Sequence, residues 1–195
     1  MERPEDNLTV RETILMVLEA AGGTLEGRTA IQKLCYFAGL VLDEDLGHRA
    51  HYYGPYSREV ELTLANEAFA GDLDESMRSF YSAYSGREGR VYTYTLTPQG
   101  QDVVAEIRNA KAPAAARVDR IVAQLGALVP GYQQHPLSLA AKVDLILRQQ
   151  GAMMADEIPG VAKSLGWEVS DDEVAEAVKI LVGLGRVAPP EPTSA

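Results

Sequence analysis

The most reactive side chain in an otherwise apolar segment is Lys33, which is followed three and four positions later by Tyr36 and Phe37. If the segment is helical, all three lie on one face, because residues three and four apart are neighbours on a helix surface. A lysine above aromatic rings can contact a ligand or partner, or it can simply pack on the surface. The sequence favours surface packing, keeps a binding contact as the alternative, and gives little support to a catalytic lysine.

A second reactive group lies between positions 43 and 51. His48 and His51 follow the acidic residues Asp43, Glu44 and Asp45, and imidazole and carboxylate groups together can hold a divalent ion. Their spacing matches no metal-binding motif. We therefore expect a surface turn here, and we expect the protein to use no metal ion or cofactor.

The sequence shows no motif of the common enzyme classes. It contains no Gly-x-Ser-x-Gly, no Walker-type loop and no His-Glu-x-x-His. The single cysteine, Cys35, cannot form an intramolecular disulfide or a multi-thiolate metal site, and its apolar neighbours Ile31 and Leu34 predict a buried thiol. We therefore expect a protein that is not an enzyme.

The elements that position these residues end in a predicted β-hairpin. Met77 to Ser85 and Arg90 to Thr97 are strand-like on either side of a turn, Gly86 to Gly89, and Thr97-Pro98 is a helix cap followed by a helix-starting proline. Amphipathic helices precede the hairpin. The sequence thus predicts a mainly α (α+β) protein whose N-terminal domain, residues 1–129, is winged-helix-turn-helix-like with the hairpin as its wing.

The rest of the chain predicts a second, smaller unit. Pro130-Gly131 and His135-Pro136 bracket a predicted linker, and residues 136–190 follow as a C-terminal helix-turn-helix-like unit. Three helices are predicted in it, at Ser138 to Gln150, Ala155 to Leu165 and Asp171 to Leu184. Before the linker, the apolar stripe from Val118 to Val129 needs a partner helix, which the same chain or a second subunit can supply.

Capping boxes mark the start of three predicted helices. In this motif a Ser or Thr and a Glu or Gln three residues later each satisfy a free backbone donor of the other. The pairs are Thr9 with Glu12, Thr29 with Gln32 and Ser170 with Glu173. A short strand is predicted at Ala50 to Tyr53, ended by Gly54-Pro55.

The third predicted helix begins at Ser57 and is the candidate recognition helix. Helical spacing predicts an inward set of Val60, Leu64, Ala65, Ala68 and Phe69, and an outward set of Glu59, Thr63, Asn66 and Glu67. The outward set would bring two carboxylates toward the phosphates of DNA. That arrangement is unfavourable for a DNA-reading helix.

Charge gives both an argument for nucleic acid and an argument against it. Five residues near the predicted wing and third helix could contact a phosphate backbone: Ser57, Arg58, Arg78, Arg87 and Arg90. However, the 195 residues contain 18 Lys+Arg and 28 Asp+Glu, which gives a net charge of −10. Such a charge opposes the electrostatic attraction that drives DNA binding.

Clustered tyrosines favour a protein partner instead. Tyr52, Tyr53 and Tyr56 surround Gly54-Pro55, and further tyrosines lie in the hairpin. Tyrosine combines a large contact area with a polar tip, which suits protein interfaces, although a tyrosine-rich core edge is the alternative. The predicted partner contacts are Lys33, Tyr36, Tyr53, Tyr56 and Arg58.

Three segments together resemble a known group of prokaryotic proteins. They are GRTAIQKLCYFAGL (27–40), HYYGPYSREV (51–60) and YTYTLTPQG (92–100). Their order and spacing resemble the YwgA-like bacterial and archaeal proteins and, more distantly, the Panacea domain, over roughly the first 110 residues. The resemblance to Panacea implies an antitoxin that neutralises a toxin by binding it. The hairpin here is longer than in the Panacea pattern, and a second helical unit follows it.

Taken together, these features predict a cytoplasmic, non-catalytic regulatory protein whose winged-helix-like domain binds a protein partner. The sequence has no apolar run long enough for a membrane span and no secretory signal at its start. A dimeric DNA-binding transcriptional regulator is the second hypothesis. A small-ligand sensor with a pocket between the two units, lined by Trp167, is the third and weakest.

Overall fold

The computed structural model describes residues 7–82 and 87–188, without the side chains of Ser82 and Arg87. It is mainly helical with one small antiparallel sheet, consistent with the predicted α+β class. The helices are α1 (Val10–Ala20), α2 (Arg28–Leu42), α3 (Arg58–Ala70), α4 (Pro98–Ala110), α5 (Ala112–Leu128), α6 (Gln134–Gln150), α7 (Ile158–Ser164) and α8 (Asp171–Gly183). The strands are β1 (Thr24–Glu26), β2 (Leu73–Ser82) and β3 (Arg87–Leu96). Single 3-10 turns occupy Pro130–Tyr132 and Ala155–Glu157.

The sheet has the strand order β1-β3-β2, and both pairings are antiparallel. The predicted hairpin is therefore confirmed, although β2 begins at Leu73, four residues before the predicted start at Met77. Leu73 lies opposite Leu96, and both are buried at the base of the hairpin. Strand β3 begins at Arg87, three residues before the predicted start at Arg90, so residues 87–89 of the predicted turn belong to the strand. Residues 83–86 lie outside the described residues.

Two of the three predicted capping boxes are confirmed, at the starts of α1 and α8. The third is wrong, because α2 begins at Arg28 after Gly27, and its cap makes no side-chain hydrogen bond. The Gln32 amide instead binds the backbone of Ser57, 25 residues away. Gln32 Nε2 donates to the Ser57 carbonyl and the Ser57 amide donates to Gln32 Oε1, both at 2.9 Å. This pair fixes the start of α3 against α2.

Helix α3 begins as predicted, since the Ser57 hydroxyl accepts a hydrogen bond from the Val60 amide. Three of its residues lie opposite to the prediction. Ala65 and Phe69 were expected inside but are exposed, Phe69 by 96%, and Glu67 was expected outside but is buried. Arg11 of α1 binds Glu67 at 2.8 Å and Asp72 at 2.5 Å, so an ion pair draws the Glu67 carboxylate inward.

The predicted strand at Ala50 to Tyr53 is wrong. Only an isolated bridge forms, in which Arg49 and Tyr56 each donate a backbone hydrogen bond to the other at 2.9 Å. Between them the chain makes a loop, His51–Tyr56, which we call the tyrosine loop. Gly54 in it has a φ of +94°, a left-handed conformation that a residue with a side chain rarely adopts.

The three predicted C-terminal helices are confirmed, although α6 begins at Gln134, within the predicted linker. Helix α6 packs on α2 and on α8, and the buried side chains of both halves belong to one hydrophobic core. The apolar stripe of α5 is buried against α1 and α2 of the same chain. A second subunit is therefore not needed to cover that stripe. Within the described residues, no helix is both long enough and apolar enough to cross a membrane.

Candidate binding site

A cleft of about 240 Å³ lies where the start of α2, helix α3, the tyrosine loop and β3 meet. We call it the α2–α3 cleft. Its buried lining includes Ile31, Val60 and Leu64, and its exposed lining includes Tyr53, Arg58 and Leu62. Four of the five predicted partner contacts line it, namely Lys33, Tyr53, Tyr56 and Arg58. An apolar base with polar and aromatic edges is typical of sites that accept an apolar group.

Arg28 and Tyr94 form the wall of the cleft on the side of the sheet. Arg28 Nε donates to the Tyr94 hydroxyl at 2.8 Å, and the Arg28 guanidinium lies 3.6 Å from the centre of the Tyr92 ring. The Tyr94 hydroxyl donates in turn to Glu75. Burial, together with the Glu75 carboxylate, raises the pKa of Tyr94 to about 12. The sequence analysis did not identify Arg28, because its partners lie more than 40 residues away.

On the opposite side, Tyr56 and Arg58 are tied to their own neighbours. The Tyr56 ring stacks on His51 with centroids 4.7 Å apart, and Arg58 forms an ion pair with Glu61. A hydrogen bond from the Tyr56 hydroxyl, followed by the contact with Arg58, lowers the pKa of the Glu61 carboxyl. Both arginines of the cleft thus have a carboxylate of the same chain beside them.

Lys33 does not lie on the surface as the sequence suggested. Its side chain is 1% exposed, and Nζ donates to the Pro55 carbonyl at 2.7 Å. Burial, and to a lesser degree the positive charge of Lys142, lowers the pKa of Lys33 to about 7. Lys33 therefore holds the tyrosine loop at the edge of the cleft, and its ammonium group is not exposed to a partner.

Tyr36 is also buried, against the prediction that it lies on an accessible face. Its hydroxyl donates to Asp144 Oδ2 at 2.6 Å, and Arg186 Nε donates to Asp144 Oδ1 at 3.0 Å. Burial and the Asp144 carboxylate raise the pKa of the Tyr36 hydroxyl. This cluster joins α2, α6 and the end of α8, and it lies outside the lining of the cleft.

Trp167 is buried and has a hydrogen-bond partner. Its indole N–H donates to the His51 carbonyl at 2.6 Å. The tyrosine loop is therefore held from two sides, by Lys33 of α2 and by Trp167 of the C-terminal helices. The predicted role for Trp167 as the lining of a ligand pocket has no support from this geometry.

The residues predicted to contact nucleic acid are dispersed. Ser57 is buried, and its hydroxyl donates to the Leu46 carbonyl at 2.5 Å, so both its hydroxyl and its amide have protein partners. Arg78 is exposed but binds Glu26 at 3.1 Å. Arg90 is exposed and lies opposite Ser79 in the hairpin. The Arg87 side chain lies outside the described residues.

His48 is buried, so the expected surface turn is wrong for this residue. Its Nε2 lies 3.1 Å from the Gln32 carbonyl, and burial lowers the pKa of the imidazole to about 4. Within the described part of the chain, no three His, Cys, Asp or Glu side chains are grouped to hold a metal ion. Cys35 is buried as predicted, and burial raises the pKa of its thiol to about 12.

Part of the exposed surface of α3 is an apolar stripe that the sequence prediction did not identify. Leu62, Ala65 and Phe69 follow one another at spacings of three and four residues, and Leu62 is 49% exposed. We call these three residues the α3 stripe. Leu62 and Ala65 also line the α2–α3 cleft. The signal was a second apolar series beside Val60 and Leu64, which was overlooked because Phe69 was assigned to the core.

No protein-family model matches the chain, and no curated protein matches it. The resemblance to the YwgA-like proteins and the Panacea domain therefore stays a prediction from the three quoted segments.

Proposed function

We propose that this chain is a non-catalytic, cytoplasmic regulatory protein of winged-helix type that binds a protein partner. The partner's contact surface covers the α3 stripe and inserts an apolar side chain into the α2–α3 cleft. The exposed apolar α3 stripe is the observation that carries this proposal. In the Panacea-like interpretation the partner is a toxin protein, and an acidic protein of net charge −10 suits a basic partner.

The winged-helix assignment is supported by the order of the elements. Helix α1, strand β1, helices α2 and α3 and the hairpin of β2 and β3 follow one another, with β1 added to the sheet beside β3. In this arrangement α3 corresponds to the recognition helix and the hairpin corresponds to the wing. Both of these elements border or adjoin the α2–α3 cleft.

The α3 stripe favours a protein surface over DNA as the ligand of this helix. A helix that reads a DNA groove presents hydrogen-bonding side chains to base edges and cations to phosphates. Here the exposed stripe offers Leu62, Ala65 and Phe69, which can make neither kind of contact. Contiguous exposed apolar side chains are instead a common mark of protein interaction sites.

The ion pairs of Arg58 and Arg78 also favour a protein partner over DNA. Arg58 is paired with Glu61, and Arg78 is paired with Glu26. A phosphate would have to displace a carboxylate of the same chain at each of these positions. The gain in affinity from counterion release is smaller when the cations are already neutralised.

The test is capture of partners from native lysate by the tagged chain, with aspartate substituted in the stripe. Leu62→Asp and Phe69→Asp should each weaken capture of a stoichiometric protein by roughly 30-fold, as expected for loss of a central interface contact of about 2 kcal/mol. Both side chains are exposed, so the fold should tolerate the change. Met154→Asp is the matched control, because Met154 is an exposed apolar residue directly before the Ala155–Glu157 turn, in the C-terminal part of the chain.

A parallel titration with duplex DNA at low and moderate salt distinguishes the alternative. Tight, steeply salt-dependent binding that Arg90→Ala weakens and Leu62→Asp leaves unchanged would replace the protein partner with DNA. Equal capture by the stripe variants and the Met154→Asp control would contradict the proposal.

A further inference from the structure

The C-terminal helices carry a second apolar surface, separate from the α2–α3 cleft. A groove of about 600 Å³ runs along α8, and its apolar lining consists of Ala155, Val174, Ala175, Val178 and Val182. The four residues from α8 are spaced so that they follow one face of the helix. Val174 is buried in the core and Val178 is partly buried against it, so the exposed part of this face is formed by Ala175 and by the partly exposed Val178 and Val182.

The charged residues of the groove lie at separate positions along α8. Asp171 is at the N-terminal end, with Asp156 beside the groove, and Lys179 lies about two turns further on. All three side chains are exposed, and none forms an ion pair with another described residue. The groove thus has acidic side chains at one end and a lysine further along, and these opposite charges do not pair with each other within one chain.

We propose that the α8 groove is the contact surface of a symmetric dimer of this chain. A two-fold axis passes near Ala175, so that the α8 helices of the two copies run antiparallel. Lys179 of each copy then lies beside Asp171 of the other. A two-fold interface must be self-complementary, and charges of opposite sign on either side of the axis meet that requirement.

The small side chain near the axis makes this contact possible. The distance between two packed helices depends on the side chains at their crossing point, and Ala175 permits a close approach. Val178 and Val182 of one copy then pack against the groove of the other. At the far end Leu128 of α5 contacts Gly183 and is partly exposed, so it extends the apolar surface.

This proposal is independent of the proposed function, and it does not use the long apolar stripe of α5. Except for Leu128 at its end, that stripe is buried within the chain and cannot serve as the dimer contact. The proposed contact between the two copies is therefore the α8 groove.

The direct test is sedimentation velocity on the full chain over a range of concentrations. The wild type should show a concentration-dependent dimer. Ala175→Glu should weaken the affinity of the dimer at least about tenfold, because it places two like charges at the axis. A tenfold loss of affinity corresponds to about 1.4 kcal/mol. Ala175 is exposed and Glu is a good helix former, so the monomer should fold. Ala105→Glu, an exposed position on α4, is the matched control and should dimerise like the wild type.

A charge exchange tests the antiparallel register. Asp171→Lys and Lys179→Asp should each weaken the dimer several-fold, and the double variant should recover most of the wild-type affinity. Recovery supports the antiparallel contact, and additive losses in the double variant would overturn it. A wild type that stays monomeric at all concentrations would overturn the dimer. If the wild type is monomeric and Ala175→Glu abolishes the capture of another protein, the groove binds that protein. This result would also overturn the dimer proposal.

Failure of this proposal can be told apart from failure of the proposed function. Leu62→Asp should weaken partner capture and leave the dimer intact, whereas Ala175→Glu should weaken the dimer and leave partner capture unchanged. If Leu62→Asp also removed the dimer, the α3 stripe and not α8 would be the contact between copies.

Discussion

Two buried charged groups join α2 to the rest of the molecule, and they are satisfied very differently. Asp144, 3% exposed, accepts hydrogen bonds from the Tyr36 hydroxyl and from the Arg186 guanidinium, so its charge is matched by a cation. Lys33 has one carbonyl acceptor, that of Pro55, and its nearest charge is the like charge of Lys142. Asp144 thus has a counter-ion beside it, whereas Lys33 has none, and burial together with Lys142 lowers the pKa of Lys33.

Asp144 and Lys33 thus connect α2 to the rest of the molecule in two different ways. A paired buried charge resists the loss of either partner, because the remaining group is left without compensation in a poorly hydrated place. A buried lysine without a counter-ion destabilises the fold while it is charged. Its hydrogen bond positions the loop but adds little to stability. We therefore expect the Asp144 cluster to stabilise the fold and the Lys33 contact to set the position of the tyrosine loop.

The largest expected effect comes from breaking the Asp144 cluster. Asp144→Ala leaves the Tyr36 hydroxyl and Arg186 without their acceptor, and the free energy of unfolding should fall by about 3 kcal/mol. Arg186 is partly exposed and can regain some hydration, which keeps the loss at the lower end of the usual range. Urea denaturation measures this. The control Asp102→Ala, at an exposed site on α4, should change stability by less than about 0.5 kcal/mol.

A smaller effect is expected on the side of Lys33, from Gly54→Ala in the tyrosine loop. A Cβ at Gly54 would lie 3.1 Å from Lys142 Cγ and 3.5 Å from Lys33 Cε, and the φ of +94° is strained for alanine. Stability should fall by about 2 kcal/mol. Gly22→Ala is the control, because Gly22 has a φ of +98° with no atom near the added Cβ. Equal losses in the two variants would show that crowding by the two lysines contributes nothing.

The smallest effect is a pH dependence carried by Lys33. Its pKa falls from an ordinary 10.5 to about 7 in the folded chain, so between these values the unfolded state binds more protons. The free energy of unfolding should therefore rise with pH above about 7, by roughly 1 kcal/mol per pH unit from this group alone. Subtracting the stability of Lys33→Met from that of the wild type at pH 7.0 and 8.5 isolates the contribution of Lys33.

The control for this measurement is Lys163→Met, at an exposed position on α7. Its stability should follow that of the wild type at both pH values. A difference between wild type and Lys33→Met that stays constant from pH 7.0 to 8.5 would mean that Lys33 keeps its proton in the folded chain.

Local signals in the sequence were sufficient for most of the fold. The box of Thr9 and Glu12 and the Thr97-Pro98 start of α4 need only neighbouring residues, and each marks a helix end in the structure. The hairpin was also predictable, because its two strands are close in sequence. The Thr29 and Gln32 pair looked identical to a true box, but Gln32 is used by Ser57 in a contact across the fold.

The candidate site was less predictable, because its key contacts join distant parts of the chain. Glu67 is drawn inward by Arg11, 56 residues earlier, and Phe69 lies outside, although Val60 and Leu64 are buried as predicted. Lys33 was expected on the surface, because no periodicity can reveal that the Pro55 carbonyl closes over it. Tyr53, which is 61% exposed, and Tyr56 line the cleft, and their contact with a protein partner stays a prediction.

The indole contact with the tyrosine loop gives the molecule an internal optical reporter. Trp167 is the only tryptophan in the sequence, and its N–H is bound to the carbonyl of His51, a residue that itself lines the cleft. Any ligand that displaces this loop must change the polarity around the indole. Intrinsic fluorescence emission can therefore follow occupancy of the cleft in the unlabelled chain.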